Sequence, residues 1–184
     1  MNVRIISQLL NKAGLEETIS RMAKQILDEN SYIQNTAIIG MRTRGAHLAK
    51  RLANLIYESR GIKSPLGFLD VTLYRDDFRI RFKQPIVQVT DIPFSIDEKN
   101  IILVDDVLYT GRTVRAALDA LMDFGRPARI QLAVLVDRGH RELPIQPNFV
   151  GKIYQTLPKE EIQVRVVEED KEDGVYLVEI ESED

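Results

Sequence analysis

Three short apolar runs constrain this chain most: AIIG at 37–40, IILV at 101–104 and QLAVLV at 131–136. Each breaks off into a polar turn, MRTRG, DDVLYTGRT and DRGHRELP respectively. A strand that is apolar at every position, rather than at every second one, needs cover on both faces, which is the signature of a parallel sheet between helices. The helices are legible too. Leu15, Ile19, Met22, Ala23, Ile26 and Leu27 form the stripe of an amphipathic helix ending near Asn30. A second helical pattern runs over 46–57 with Leu48, Leu52, Leu55 and Ile56 inward, and a third over 112–124, stopped by Gly125 and Pro127. LGFLDVTL at 66–73 reads as another strand, and 164–168 and 174–180 as terminal strands. Strands alternating with helices predict an α/β fold with a central, mostly parallel sheet flanked by helices. The long polar stretch of about 74–94, with Phe78, Ile80 and Phe82 alternating, reads as a projecting loop or β-ribbon.

At 184 residues the chain is expected to be one domain, 1–184, of a size that hides roughly 70% of its unfolded surface. It has no cysteine, which removes disulfides, thiolate nucleophiles and cysteine zinc sites and fits a reducing compartment. His47 and His140 have no ligand-like spacing. The opening MNVRIISQLLNK lacks the apolar core of a signal segment, and no run approaches the roughly 20 apolar residues that span a bilayer, so a cytoplasmic protein with no membrane partner is expected. Charge is uneven. Residues 159–184 hold eleven acids against three bases, net −8, so the total of −3 leaves +5 on residues 1–158. The acidic end masks a basic body able to attract phosphates or nucleic acid, although a solvated surface would show the same count.

In open parallel sheets, ligands bind beyond the carboxyl ends of the strands, where the three polar turns fall. LYTGRT at 108–113 begins where a strand ends and finishes where a helix begins. Amides at a helix N-terminus lack intrahelical acceptors and sit at the positive end of the dipole, so they suit a phosphate. Gly111 permits close backbone approach, and the hydroxyls of Thr110 and Thr113 can donate to phosphate oxygens. Asp105 and Asp106 then face something other than phosphate: ribose hydroxyls first, magnesium second. A helix cap beside two surface acids is the plain alternative. Other nucleotide loops fit worse: Gly40 and Gly45 have Walker-like spacing, but Ala46 and His47 follow them, and no G-x-G-x-x-G occurs.

VDDVLYTGRTVRA at 104–116 resembles the signature of type I phosphoribosyltransferases, which bind 5-phosphoribosyl-1-pyrophosphate (PRPP). With MRTRG, DVTLYRDD, GRP and QLAVLVDRGHRELPI in order over residues 15–152, the chain resembles more specifically the pyrimidine-operon attenuation family, PyrR, whose members are also uracil phosphoribosyltransferases. The resemblance implies a type I phosphoribosyltransferase fold with a small hood and a mobile loop. It implies transfer of phosphoribose from PRPP to uracil, giving UMP and pyrophosphate, with magnesium as cofactor.

By the same likeness, Asp105 and Asp106 hold the ribose hydroxyls and are candidate magnesium contacts, while Arg75 lies on the closing loop. Val107, Leu108, Tyr109, Thr110, Gly111, Arg112 and Thr113 surround the 5-phosphate. Thr43 and Arg44 fall on the pyrophosphate loop, where the family often has a cis peptide, and Val136, Asp137 and Arg138 border the base. The family regulates transcription by binding an mRNA stem-loop in response to UMP or UTP and assembles as homodimers or homotetramers. Arg21, Lys24, His140, Arg141 and Lys152 match positions on its RNA face. Lys24 stands where histidine is common, Glu29 replaces a basic residue, and Gln146 replaces an arginine. Fewer cations predict weaker and less salt-sensitive RNA binding. A regulator with vestigial catalysis, or a transferase for another base, are the alternatives.

Overall fold

The computed structural model describes residues 2–31, 33–74 and 89–181. Five strands form one sheet in the order β3-β2-β4-β5-β6, every neighbouring pair parallel: β2 (Thr36–Met41), β3 (Leu66–Leu69), β4 (Asn100–Leu108), β5 (Arg129–Asp137) and β6 (Phe149–Ile153). The apolar runs behave as two-faced strands. In β4, Ile102 and Val104 join the core on one face while Ile101 and Leu103 join that on the other, the period of two that a pleated strand imposes. Helices α1 (Lys12–Glu29) and α2 (Arg44–Arg60) cover the first face, and α3 (Arg112–Met122) covers the second. All six apolar residues of the α1 stripe are buried, and Asn30 closes the helix by donating its side-chain amide to Ile26 O at 2.9 Å.

A second, antiparallel sheet of order β1-β8-β7 consists of β1 (Asn2–Leu10), β7 (Glu160–Arg165) and β8 (Gly174–Glu181), with the short helix α4 (Val167–Asp170) between β7 and β8. Ile162, Val164, Val166, Val175 and Leu177 from this small sheet join the α1–α2 core, so the two sheets share apolar packing.

Several elements differ from expectation. The run 66–73 is a strand only to Leu69; Thr72–Tyr74 is a 3₁₀ turn, and the Asp70 carboxylate accepts from Thr72 N at 2.9 Å, an Asx turn that competes with strand pairing. The expected strand at 164–168 is shifted to Glu160–Arg165, because the Asp170 carboxylate accepts from Val166 N at 2.9 Å and the chain turns helical there. β1 and β6 carry no readable alternation. Most of β1 is exposed on both faces, and β6 is five residues long with only Phe149 and Gly151 buried. The expected ribbon at about 74–94, including Arg75, falls mostly outside the described residues; Asp91 next to it pairs with Phe68 as an isolated antiparallel bridge.

Phe149 is 1% exposed in the α1-facing core. Phe149→Ala is expected to cost about 3–5 kcal/mol, read as a lower urea midpoint at unchanged slope.

Candidate active site

Because the strands run parallel, the turns after β2, β4 and β5 meet on one edge of the sheet, with Gly40 beside Val104 and Leu108 beside Asp137 in register. Close packing brings the first two together. A Cβ on Gly45 would lie 2.6 Å from Val104 O and 3.1 Å from Asp105 Cα, so only glycine lets the start of α2 sit on the end of β4. The peptide between Arg42 and Thr43, in the turn leading into α2, is cis.

The turn after β4 forms a cavity of about 250 Å³ lined by Asp105, by each residue from Val107 to Val114, and by Glu142. Gly111 is the N-cap of α3, with φ of 91°. Its left-handed backbone favours glycine, while a Cβ there would meet Leu143 and Ile145 only at ordinary contact distances of about 3.4–3.5 Å. The loop after β5 supports this turn from behind. Arg138 N donates to Leu108 O at 3.0 Å, Arg141 Nη1 to Tyr109 O at 2.9 Å, and Glu142 N and Leu143 N to Thr110 O at 3.0 and 3.1 Å. Arg112 Nε donates to Glu142 Oε2 at 2.6 Å across the cavity rim. With its carbonyls drawn toward the β5 loop, the turn leads into the start of α3, where helix-end amides suit an anion.

Asp105, near the end of β4, lines the cavity; Asp106, the next residue on the strand, is not among the residues that line it. Asp105 is 8% exposed, and its Oδ1 accepts from Asp106 N at 2.9 Å; Asp106 Oδ1 accepts from Val107 N at 2.9 Å. Each carboxylate is thereby oriented by the next amide, and carboxylate oxygens are acceptors of the kind that suit hydroxyl donors or a hard cation. Among the described residues no group of three or more His, Asp or Glu could enclose a metal. The donor set fits a magnesium ion held partly by substrate phosphates rather than one caged by protein.

The remaining expected residues divide. Thr43 and Arg44 lie outside the 250 Å³ cavity, on the turn after β2. Val136 is fully buried in the sheet, Asp137 accepts from Arg141 Nη2 at 2.6 Å, and Arg138 is turned inward, donating to Thr156 Oγ1 and Glu160 O at 3.1 and 2.7 Å. The Arg138 guanidinium lies 3.9 Å from the ring centroid of Tyr109, whose edge meets His140. Arg21 donates to Val150 O and Gly151 O, which brings it beside Lys152 on β6; Lys24 is exposed one turn along the same helix. His140 bonds to Thr156 O at 2.7 Å, and Arg141 is spent on the loop contacts above and on Ile145 O. Glu29 lies near Gln131, at the far end of β5 from Asp137.

The acidic segment was the unread part. Its α4 residues meet a basic stripe on α2: Asp170 with Arg44 at 2.7 Å, Glu169 with His47 at 2.7 Å, and Glu168 and Asp173 with Arg51 at 2.6 and 2.8 Å. The spacing of 44, 47 and 51 is the i, i+3, i+7 signal of one helix face, but nothing local says which acids cover it.

A phosphoribosyl transferase domain profile matches residues 6–169. The bifunctional protein PyrR of Roseiflexus is 54% identical over 172 residues, covering 93% of this chain and 94% of that one. The PyrR proteins of Pelotomaculum thermopropionicum and Deinococcus radiodurans are 51% and 52% identical, with 96% and 92% of their lengths covered. This chain belongs to the PyrR family of phosphoribosyltransferases. Solved structures carry the fold further: a hypoxanthine-guanine phosphoribosyltransferase of Bacillus anthracis superposes with a TM-score of 0.71 at 20% identity, covering 96% of this chain and 99% of the other. The hypoxanthine phosphoribosyltransferase of Trypanosoma cruzi gives 0.72 at 16% identity, covering 95% and 92%. The PyrR-family membership and the phosphoribosyltransferase fold expected from the signature both hold. Among the described residues, no helix is long and apolar enough to cross a membrane.

The α2–α4 seam also predicts a pH response. Burial alone would raise Glu168, Asp170 and Asp173, but hydrogen bonds and charge from Arg51 and Arg44 outweigh it and all three are lowered. Folded values below the unfolded ones mean that this stability is complete above the ordinary carboxylate range and is lost as pH falls through the lowered values. A melting-temperature series from about pH 6 to pH 2 should show a loss on the order of 1 kcal/mol, flattened in Arg51→Gln.

Proposed function

We propose that this chain transfers phosphoribose from PRPP to uracil, and that it also binds a pyrimidine-operon mRNA stem-loop in response to UMP or UTP. The observation that carries the first part is the turn after β4: an anion-sized cavity lined by the start of a helix and by Asp105, with a second oriented carboxylate, Asp106, next on the strand, in a chain half identical to proteins named bifunctional PyrR. In this reading the amides and hydroxyls from Leu108 to Thr113 hold the 5-phosphate. Asp105 and Asp106 accept from the ribose hydroxyls, fixing the C1 atom. Magnesium, when bound with PRPP, offsets the charge that collects on the departing pyrophosphate.

Transfer breaks the bond from C1 to the pyrophosphate oxygen, forms one from C1 to N1 of uracil, and releases the N1 proton. Positive charge builds on the sugar while the bond breaks, so a pair of carboxylates at its hydroxyls is well placed electrostatically. In this reading the turn after β2, with Thr43 and Arg44, serves the pyrophosphate end, while Arg75 lies outside the described residues. Val136, Asp137 and Arg138 border the base. The Arg138 amide is already donated to Leu108 O, so it is not the group that reads the base.

Pyrophosphate release from PRPP with magnesium, measured in parallel with uracil, orotate, hypoxanthine, guanine and adenine, tests this reading. Turnover with uracil alone is expected, and Asp106→Asn should lower it on the order of 10²-fold with the melting temperature kept. Turnover with another base would replace the substrate; none with any base would leave a nucleotide-sensing regulator.

RNA binding draws support from exposed Arg21, Lys24 and Lys152, which cluster along α1 and β6. Gln146 and Glu29 stand in place of cations, and Arg141 is engaged in the loop, which leaves fewer cations on this face to neutralise phosphate among the described residues. The expected affinity for a pyrimidine-operon leader stem-loop exceeds that for arbitrary RNA, with a shallow dependence on salt. Equal affinity for both would count against regulation. A homodimer or homotetramer in the cytoplasm completes the proposal.

A further inference from the structure

Arg44 starts α2 directly after the turn that bears the cis peptide, and its guanidinium does not float in solvent. Its Nε and Nη2 donate to the two oxygens of Asp170 at 3.1 and 2.7 Å, a fork-to-fork pair that fixes the plane as well as the position of the guanidinium. Asp170 is itself held. Its Oδ2 accepts from Val166 N at 2.9 Å, and its own amide donates to Val166 O at 2.7 Å, so the carboxylate cannot follow Arg44 if Arg44 moves. The charges of Asp106 and Glu169 also act on Arg44, each less than its pairing with Asp170. Two of the five guanidinium donors are spent on Asp170, and the opposite edge is left to meet an anion.

We propose that Asp170 is a positioning residue for the pyrophosphate end of the substrate: it pins Arg44 beside the turn after β2, away from Asp106, and ties the seating of the small sheet to affinity for the leaving group. The inference rests on the reading of the chain as a PRPP-using transferase. Without the pin, Arg44 is drawn toward Asp106, where a guanidinium would occupy the ribose's place and neutralise the carboxylate meant for its hydroxyls. The neighbouring pairs on the seam serve as an internal control. Arg51, with Glu168 and Asp173, docks the same helix two turns farther along α2 from Arg44.

The test is binding of magnesium–PRPP by calorimetry with no base present, followed by steady-state kinetics in both directions. Asp170→Asn should weaken PRPP and raise the KM for pyrophosphate about tenfold or more, with the KM for the base within about twofold. Asp173→Asn should lower the melting temperature without changing either PRPP affinity or the KM for pyrophosphate. Asp170→Glu keeps the charge, and so the docking, but moves the carboxylate by one methylene; it should weaken PRPP by a smaller factor at an unchanged melting temperature. Wild-type affinity in both Asp170 variants, or an equal loss in Asp173→Asn, overturns the positioning role. Failure of the unmodified chain to bind PRPP overturns the transferase reading and this inference with it.

Discussion

The carbonyl oxygens of Leu108, Tyr109 and Thr110 are held by the loop that follows β5, through three backbone amides and one arginine. A turn between a strand and a helix has no ladder to fix it, and its polar groups must find partners somewhere. Here the partners come from the neighbouring strand's own turn. The β4 turn is therefore formed by the sheet's parallel order rather than by its local sequence alone, since β4 and β5 must end side by side for the contacts to exist. The cavity, the glycine at φ of 91° and the orientation of the first amides of α3 all follow from that pairing. The same loop carries His140 and Arg141, both expected at an RNA face: Arg141 is tied to the β4 turn by a hydrogen bond to Tyr109 O, and His140 meets the Tyr109 ring.

The second dependence is electrostatic. The acidic segment does not stand apart from the fold: α4 and Asp173 lie against α2, with ion pairs to Arg44 and Arg51 and a hydrogen bond between Glu169 and His47. Single exposed pairs contribute little, but these are partly buried, bidentate in three cases, and joined in a row. Their consequence is mainly geometric. They hold the small sheet against the helix whose first residue follows the turn after β2, so the two sheets are joined there although they share no strand.

Much of the architecture was legible because burial on both faces leaves a mark. IILV and QLAVLV cannot be half-exposed strands, and the α1 stripe cannot be anything but a packed helix. The site's location followed from the rule that strand ends gather ligands in a parallel sheet. β1 and β6 were illegible for the opposite reason: one has exposed faces and the other is too short for a period to register. The boundary near 164–168 was misplaced because a single carboxylate, Asp170, outweighs the strand preference of Val166 and Val167 by capping a turn.

By itself, the sequence determined the parallel α/β order, the phosphate-type turn, the adjacent acids and the charge asymmetry. These are properties of residues close together in the chain, where periodicity and side-chain chemistry act directly. The tertiary structure decided which groups those features meet: the β5 loop behind the phosphate turn, Asp170 on Arg44, and Arg138 turned inward against Tyr109 instead of outward. Such partners lie up to 126 residues apart. No local preference encodes them, because they exist only once two sheets have packed around one core and set the distances.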